Sequence, residues 1–319
     1  MPPWPWVVLL ALGLEAMVGY PAALGRRVAH PVAWPAALIE GLERRWNKPA
    51  RADDQRRLLG VGVVVILIAC SVLLGAALQR FLGQNTIGLM ILALIATLGL
   101  AQRSLYQHVA AVLTPLRTGD LPAARAAVAM IVGRDTADLD AEQIAAAALE
   151  SLAESFNDGV VAPAFWLLIG GLPGLLAYKS LNTADSLIGH KEPRWRMFGW
   201  ASARTDDAMN LAPARLAGAL IVLAGGPNAA RGWRTMLRDA PRHASPNAGW
   251  PEAAMAGALG VKLGGLAVYD GVATDRPSFG DGVRPTADHL EQGLSLYRRA
   301  CALLWLIPLA IGLIVTLAR

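Results

Sequence analysis

Two uncharged apolar segments, residues 58–78 and 300–318, constrain the fold more than any other feature of the sequence. Each is close to the roughly 20 residues that an α-helix needs to cross the hydrocarbon core of a bilayer. Residues 86–101 are also uncharged and follow the first segment after a short turn. Strand-like alternation of polar and apolar residues is absent, so the pattern predicts helices.

The composition favours the same class of protein. The residues are 55% hydrophobic and only 17% charged, and the mean hydropathy is +0.41. We therefore expect an all-α, polytopic integral membrane protein with about four to six membrane helices, some of them re-entrant, and with cytoplasmic helical connecting regions. Residues 1–319 are interpreted as a single integral membrane domain.

The charge pattern near the amino terminus predicts the orientation. The apolar segment 4–24 lacks the basic start of a signal peptide and contains Glu15, which indicates a retained membrane helix. Residues 26–57 carry eight Lys and Arg side chains, and such segments stay in the cytoplasm. We expect an external amino terminus and a multi-pass protein of the inner cell membrane.

Several common chemistries have no motif in this sequence. Cys70 and Cys301 both lie in apolar segments, and no Cys/His cluster has zinc-site spacing, so a bound metal would need oxygen ligands. A phosphate-binding loop, a serine nucleophile elbow and a His-Glu-x-x-His pair are absent. The basic residues are dispersed, which argues against nucleic acid as a partner.

The first of three polar regions, residues 133–158, contains a well-marked helix. Asp140 is expected to cap it, with Gln143 at the third position. Glu150 and Glu154 are four residues apart on one face, where like charges cost a few tenths of a kcal/mol unless a cation lies between them. A solvated acidic face and a functional pair of carboxylates are equally consistent with this spacing.

The second polar region, residues 182–210, lies between apolar segments, so its desolvation must be offset by a ligand, a metal ion or mutual pairing. Asp206 and Asn210 share a helical face beside Asp207, which suits a hard cation such as Mg²⁺. One aspartate would suffice as a helix cap, whereas two with flanking arginines favour a site for phosphate and metal. The polar side chains of this region are Asn182, Asp185, His190, Lys191, Arg194, Arg204, Asp206, Asp207 and Asn210.

The third polar region, residues 238–252, ends in a predicted helix. Pro251 suits the first helical position, so the loop 245–249 would present backbone N–H groups to an anion. An ordinary loop leading into a helix explains the pattern equally well. This helix is expected to include residues 260–264, whose terminal glycines favour close packing.

The motifs of the three regions together resemble those of a known family, the adenosylcobinamide-phosphate synthases of cobalamin biosynthesis (CobD/CbiB type). The similarity covers nearly the whole chain and rests on several ordered motifs. They are Gly133-Arg-Asp-Thr136, Glu150-Ser-x-Ala-Glu154, Asp158-Gly-Val-x-Ala-Pro163, Asn182-Thr-x-Asp-Ser186, Phe198-Gly-Trp-Ala-Ser-Ala-Arg-x-Asp-Asp207, Pro213-Ala-Arg-Leu216 and Ser245-Pro-Asn-Ala-Gly-Trp-Pro-Glu252.

This resemblance implies an ATP-dependent amide ligation. Adenosylcobyric acid and aminopropanol phosphate, or the free aminoalcohol, would give adenosylcobinamide phosphate. ATP would serve as co-substrate with Mg²⁺, because a carboxylate must be activated before an amine attacks it. The implied partners are these substrates, the lipid bilayer and other corrinoid-pathway enzymes.

The resemblance also implies roles for residues of the three regions. The expected catalytic residues are Glu150, Glu154, Asp185 and Lys191. The expected substrate- and phosphate-binding residues are Arg134, Asp135, Asn182, Arg204, Arg215, Ser245, Asn247, Trp250 and Glu252. The expected metal ligands are Asp206, Asp207 and Asn210.

The apolar segment 159–178 decides on which side the second region lies. Residues 170–174, Gly-Gly-Leu-Pro-Gly, break it into two pieces too short to span, which predicts a re-entrant or interfacial hairpin. Irregular backbone is tolerated at that depth where it lines a cavity.

Broken helices and buried charges are also typical of transporters. A corrinoid or aminoalcohol carrier is therefore the alternative function, and a noncatalytic scaffold is another.

Overall fold

Helices make up about 76% of the structure and sheet is almost absent, which confirms the predicted all-α class. The computed structural model describes residues 4–19, 33–190 and 192–318. The helices in these ranges are α1 (Trp4–Val18), α2 (Ala33–Trp46), α3 (Asp53–Leu82), α4 (Thr86–Thr97), α5 (Gln102–Thr118), α6 (Leu121–Ala129), α7 (Ala141–Phe156), α8 (Ala162–Ile188), α9 (Trp200–Ala224), α10 (Ala229–Asp239), α11 (Gly249–Leu259) and α12 (Ala287–Leu317). A π-helical turn, Asn157–Val161, joins α7 to α8.

Five helical stretches are long and apolar enough to cross a membrane, in agreement with the predicted number. Residues 58–78 lie within α3, and all but the last residue of the segment 300–318 lie within α12. Of the predicted amino-terminal membrane helix, the structure describes the 15 residues of α1, and residues 20–24 lie outside the described part. The five stretches are Asp53–Leu82, Thr86–Thr118, Ala141–Ile188, Trp200–Ala224 and Ala287–Leu317.

The chain divides into two compact units. The first comprises Met1–Ala101, Ala162–Asn210 and Pro308–Arg319, and the second comprises Gln102–Val161 and Leu211–Ile307. α9 and α12 therefore contribute residues to both units. The first unit contains the second polar region, and the second unit contains the first and third polar regions. The interpretation as a single domain stays a prediction.

Small residues allow α3 to pack closely within the first unit. A Cβ atom on Gly75 would lie 2.6 Å from the backbone of Pro173 on α8, and one on Gly60 would lie 1.8 Å from the carbonyl oxygen of Phe198. The hydroxyls of Ser71 and Ser180 are hydrogen-bonded at 3.0 Å between α3 and α8. Small residues and interhelical hydrogen bonds are typical of helix pairs in membranes, where the hydrophobic effect does not drive association.

The predicted break in the apolar segment before the second polar region lies at Gly171. This residue has φ 60° and ψ −154° inside α8, so the chain leaves the helical path there. Its backbone approaches Trp4 and Gln79 so closely that a Cβ atom would lie 3.0 Å and 2.7 Å from their side chains. The break is therefore confirmed, while its depth in the bilayer stays a prediction.

In the second unit, α7 begins as the sequence predicts. The Asp140 side chain accepts a hydrogen bond from the backbone N–H of Gln143, and the Gln143 side chain accepts one from the backbone N–H of Asp140, each at 2.8 Å. This reciprocal pair satisfies two helix-terminal donors. One face of α7 is buried, and Glu150 lies on that face.

The predicted continuation of the third-region helix through residues 260–264 is wrong. α11 ends at Leu259, because Gly260 adopts a left-handed conformation with φ 70° that terminates the helix. The chain then forms two small antiparallel ladders. They are β1 (Leu263–Gly264) paired with β4 (Ser278–Phe279), and β2 (Ala267–Tyr269) paired with β3 (Val272–Thr274).

The conformation of Gly171 gives a stability prediction. Gly171→Ala should lower the free energy of unfolding by about 1–3 kcal/mol or more, because only glycine adopts this backbone region without strain and the new methyl would meet Trp4 and Gln79. Gly170→Ala is the matched control, since a Cβ atom there meets nothing within 4 Å. Thermal unfolding of both variants in detergent measures the difference, and equal stabilities would contradict the assigned break.

Candidate functional site

One buried carboxylate, Glu150 on α7, organises the polar residues of the second unit. Its Oε2 accepts hydrogen bonds from the guanidinium groups of Arg134 and Arg276, the latter at 2.7 Å. Its Oε1 accepts another from the backbone N–H of Gly264, at 2.7 Å. Glu150 is only 3% exposed, so these donors supply the compensation that a buried charge requires. Arginines thus provide the positive charge beside Glu150.

A cavity of about 150 Å³ lies against this ion-pair cluster. Glu154 is accessible to solvent at the cavity wall, whereas Glu252 is almost fully buried. The structure therefore brings together residues that the sequence analysis assigned from two separate regions. The charged residues of the lining are Arg134, Glu150, Glu154, Glu252 and Arg276, and Tyr269 lies among them.

Glu252 is the least compensated of these carboxylates. Its Oε2 is buried and has no hydrogen-bond partner among the described residues, while its Oε1 lies 3.8 Å from Nε2 of His243. Burial, reinforced by the negative charges of Glu150 and Glu154, raises the pKa of Glu252 well above its usual value. Burial lowers the pKa of His243, so the neighbouring imidazole favours its neutral form. Among the described residues, Glu252 thus has no hydrogen-bonded cationic partner.

Arg276 and Tyr269 are site residues that the sequence analysis missed. Arg276 follows β3 and is 126 residues from Glu150 along the chain. Neither residue lies in one of the three polar regions, so no local motif marks them. A buried carboxylate requires a cationic partner, and this requirement was the only sequence signal for Arg276. It does not say which arginine is the partner.

Asp135, predicted to bind substrate, precedes α7 in the sequence and contacts the turn between β2 and β3. Its Oδ2 accepts a hydrogen bond from the backbone N–H of Gly271 at 2.8 Å. Its own backbone N–H donates to the carbonyl oxygen of Val268 at 2.9 Å. These contacts fix the hairpin that precedes Arg276.

Residues of the third region gather around Arg215. Its guanidinium donates to Oδ1 of Asn247 at 3.1 Å and lies 4.5 Å from the centre of the Trp250 ring. Ser245 Oγ accepts hydrogen bonds from the backbone N–H groups of Asn247 and Ala248, at 3.2 Å and 3.3 Å. These two loop N–H groups, which the sequence suggested for an anion, therefore have an internal partner. Arg215 stays available as the cationic group.

A second polar cluster, in the first unit, is centred on Asp206. Its Oδ1 accepts a hydrogen bond from Asn182 at 3.4 Å, and its Oδ2 accepts one from Asn210 at 3.0 Å. Asn210 in turn accepts a hydrogen bond from the hydroxyl of Tyr178 at 3.1 Å. Asp206 and Asn210 are both buried. Asn182 on α8 and the pair Asp206 and Asn210 on α9, from the two ends of the second region, are thus brought together.

Asp207 does not converge with Asp206. Consecutive helical residues point about 100° apart, and Asp207 pairs with Arg204 at 3.2 Å on a more exposed face. In the described part of the chain, no group of three or more His, Cys, Asp or Glu side chains has metal-binding geometry. Mg²⁺ in nucleotide sites commonly uses one or two carboxylates with phosphate oxygens and water. Asp206 fits that limited role.

Asp185 and Arg194 also belong to the second polar region, and Asp185 lies near the end of α8. Lys191 is outside the described residues. Oδ1 of Asp185 lies so close to Gly189 that a Cβ atom there would be 1.9 Å away. Arg194 binds Glu43 on α2 through two nitrogens at 3.0 Å and 3.1 Å. This pairing, which the sequence did not indicate, holds the segment after α8 against α2.

The fold and its charged clusters define a multi-pass helical membrane protein with two internal polar sites. Residues 8–297 match the family described as CobD/Cbib protein. The chain belongs to this family.

Relatives of similar length support the assignment. A protein named "Cobalamin biosynthesis protein CobD" from Rhodobacter capsulatus is 49% identical over 98% of this chain and 97% of its own. One of the same name from a Sinorhizobium species is 45% identical over 97% and 98%, and one from Geobacter metallireducens is 43% identical over 88% and 87%. No solved structure matches the chain. The protein has a role in cobalamin biosynthesis.

The Glu150 cluster gives a second stability prediction. Glu150→Ala leaves two buried guanidinium groups without their acceptor and should cost on the order of 3–5 kcal/mol. Glu142→Ala on the same helix removes an exposed ion pair with Arg284 and should cost less than about 1 kcal/mol. Unfolding in mixed detergent micelles measures both, and a loss no larger for Glu150→Ala than for Glu142→Ala would contradict the assigned role of Glu150.

Proposed function

We propose that this protein joins adenosylcobyric acid to aminopropanol phosphate, or to the free aminoalcohol, in an ATP-dependent amide ligation that yields adenosylcobinamide phosphate. The charged cavity beside Glu150 carries the proposal, because amide formation needs a proton acceptor for an amine. Arg215, which does not line this cavity, would add the positive charge that phosphate needs. Family membership and the role of the family in cobalamin biosynthesis support it.

The reaction requires two chemical steps. Transfer of the γ-phosphoryl group of ATP to the carboxylate would give an acyl phosphate and ADP. The amine then forms a C–N bond to the acyl carbon, phosphate leaves with the electron pair of the broken C–O bond, and the amine nitrogen loses a proton. An adenylate intermediate would follow the same pattern, with AMP as the leaving group.

The side chains supply the required groups in two places. Glu154 and Glu252 line the cavity and are proposed as proton acceptors. Arg215, held by Asn247 and Trp250, is proposed to bind phosphate. Arg134 helps to hold the cavity residues in place through its hydrogen bond to Glu150. Ser245 helps to hold Asn247, and through it Arg215, by its hydrogen bonds in the loop before α11. Asn182, Asp185, Lys191 and Arg204 stay proposed contacts for the other reactants.

Mg²⁺ is proposed as the metal of this reaction. Asp206 would hold it together with phosphate oxygens, while Asn210 and Asn182 keep the Asp206 carboxylate in place. The ion would neutralise charge that develops on the transferred phosphoryl group. We also propose that the sites face the cytoplasm of a cell with the protein in its inner membrane, since residues 26–57 are basic.

Purified protein tests the proposal directly. Incubation with ATP, Mg²⁺, adenosylcobyric acid and aminopropanol phosphate should give the amide, detected by mass spectrometry, and a parallel reaction with free aminopropanol identifies the preferred amine. Product that forms only after a second pathway protein is added would favour a scaffold. Absence of product together with uptake of a corrinoid into proteoliposomes would favour a carrier.

The metal assignment gives a separate prediction. Asp206→Asn should raise the Mg²⁺ concentration for half-maximal product formation by about tenfold or more. Asp207→Asn is the matched control and should have a smaller effect, because Asp207 pairs with Arg204. Initial rates across a Mg²⁺ titration measure both variants. An unchanged Mg²⁺ dependence in Asp206→Asn would remove Asp206 from the metal site.

A further inference from the structure

Building on the proposed ligation, we infer that the cavity of the second unit is the subsite for the primary ammonium group of the aminoalcohol substrate, which binds between Glu154 and Glu252. The corrinoid and the nucleotide bind elsewhere. The inference rests on the charge, the hydrogen bonding and the size of this cavity.

Acidic side chains outnumber basic ones in the lining of the cavity. Glu150, Glu154 and Glu252 contribute three carboxylates, whereas Arg134 and Arg276 contribute two guanidinium groups. Both guanidinium groups donate to the same oxygen of Glu150. The other two carboxylates therefore make no hydrogen bond with an arginine among the described residues, and a cation that enters the cavity would be attracted to them.

The unsatisfied oxygen of Glu252 identifies the position of the missing donor. Glu252 is 3% exposed, and its Oε2 has no hydrogen-bond partner in the described part of the chain. A buried acceptor in this state costs about as much as a lost hydrogen bond. An ammonium group has three N–H donors, so it can serve Glu252 and Glu154 together.

Size selects a small amine. The cavity volume of about 150 Å³ is below the roughly 300 Å³ at which pockets for drug-sized ligands begin. A three-carbon aminoalcohol fits this volume, and a corrin ring or a nucleotide does not. A metal ion is a weaker candidate, because Glu150 already has three donors and the described residues include no group of three or more His, Cys, Asp or Glu side chains that could hold one.

The same carboxylates account for the proton that the reaction releases. The bound ammonium transfers one proton to Glu252 or Glu154, and its lone pair then forms the C–N bond while phosphate leaves with the electron pair of the C–O bond. The second proton that the nitrogen loses passes to the departing phosphate. The charged groups around Glu252 are Glu150 and Glu154 on α7, Arg134 before α7, Arg276 after β3 and His243 before α11. An ammonium group that binds against Glu252 favours the ionised form of this acid and so opposes the burial that raises its pKa.

Calorimetric binding measurements test the subsite with two probes. One is 1-amino-2-propanol phosphate, and the other is propan-2-yl phosphate, which lacks the amine. Wild-type protein should bind the first probe at least about tenfold more tightly. Glu252→Gln should remove this preference without changing the affinity for propan-2-yl phosphate. Glu142→Gln, on an exposed part of α7, is the matched control and should keep the preference.

A second variant protects the test against misfolding. Glu154→Gln is a substitution at a solvent-accessible position and should weaken the preference in the same direction. Titrations in two buffers of different ionisation enthalpy should also show proton release on amine binding in wild-type protein and less in Glu252→Gln. A preference that survives in both variants would overturn the subsite.

The product assay separates this inference from the proposed reaction. If wild-type protein forms the amide but neither variant alters amine preference or the KM for the amine, the ligation stands and the subsite is wrong. If wild-type protein distinguishes the two probes through Glu252 but forms no amide, the amine site stands and the ligation is wrong.

Discussion

Neutralisation of the buried Glu150 carboxylate is the interaction on which the second unit depends. Its oxygens accept donors from Arg134 before α7, from Gly264 in β1 and from Arg276 after β3. Three segments distant in sequence thereby meet at one helix. Because both arginines are committed to Glu150, the other acidic groups of the cavity have no hydrogen-bonded arginine partner in the part of the chain that the structure describes. A stabilising contact and a binding site for a small cation thus arise from one arrangement.

Features that depend on neighbouring residues could be predicted from the sequence. The cap at Asp140 and the break near Gly171 both follow from local preferences of side chains and backbone, and the structure contains both. Long apolar segments likewise indicated the membrane helices, because their length is set by bilayer thickness. Helical spacing also placed Asp206 and Asn210 on one face, where they are hydrogen-bonded.

Long-range pairing could not be predicted in the same way. Arg276 lies outside the three motif-rich regions. The Glu43–Arg194 ion pair joins residues that are 151 positions apart in the sequence. In both cases, spacing alone does not select one arginine among many. The helix expected through residues 260–264 fails because Gly260 reverses the backbone. The roles of the predicted site residues, including the metal ligands, stay predictions.

Transfer of oxygen-18 from a labelled corrinoid carboxylate tests the central claim most directly, since amide formation must break one of its C–O bonds. Adenosylcobyric acid carrying oxygen-18 in the propionate would be incubated with the purified protein, ATP, Mg²⁺ and aminopropanol phosphate. The account predicts one labelled oxygen per amide in inorganic phosphate, or in AMP if the intermediate is an adenylate. Consumption of ATP with all the label retained in unmodified adenosylcobyric acid would contradict it.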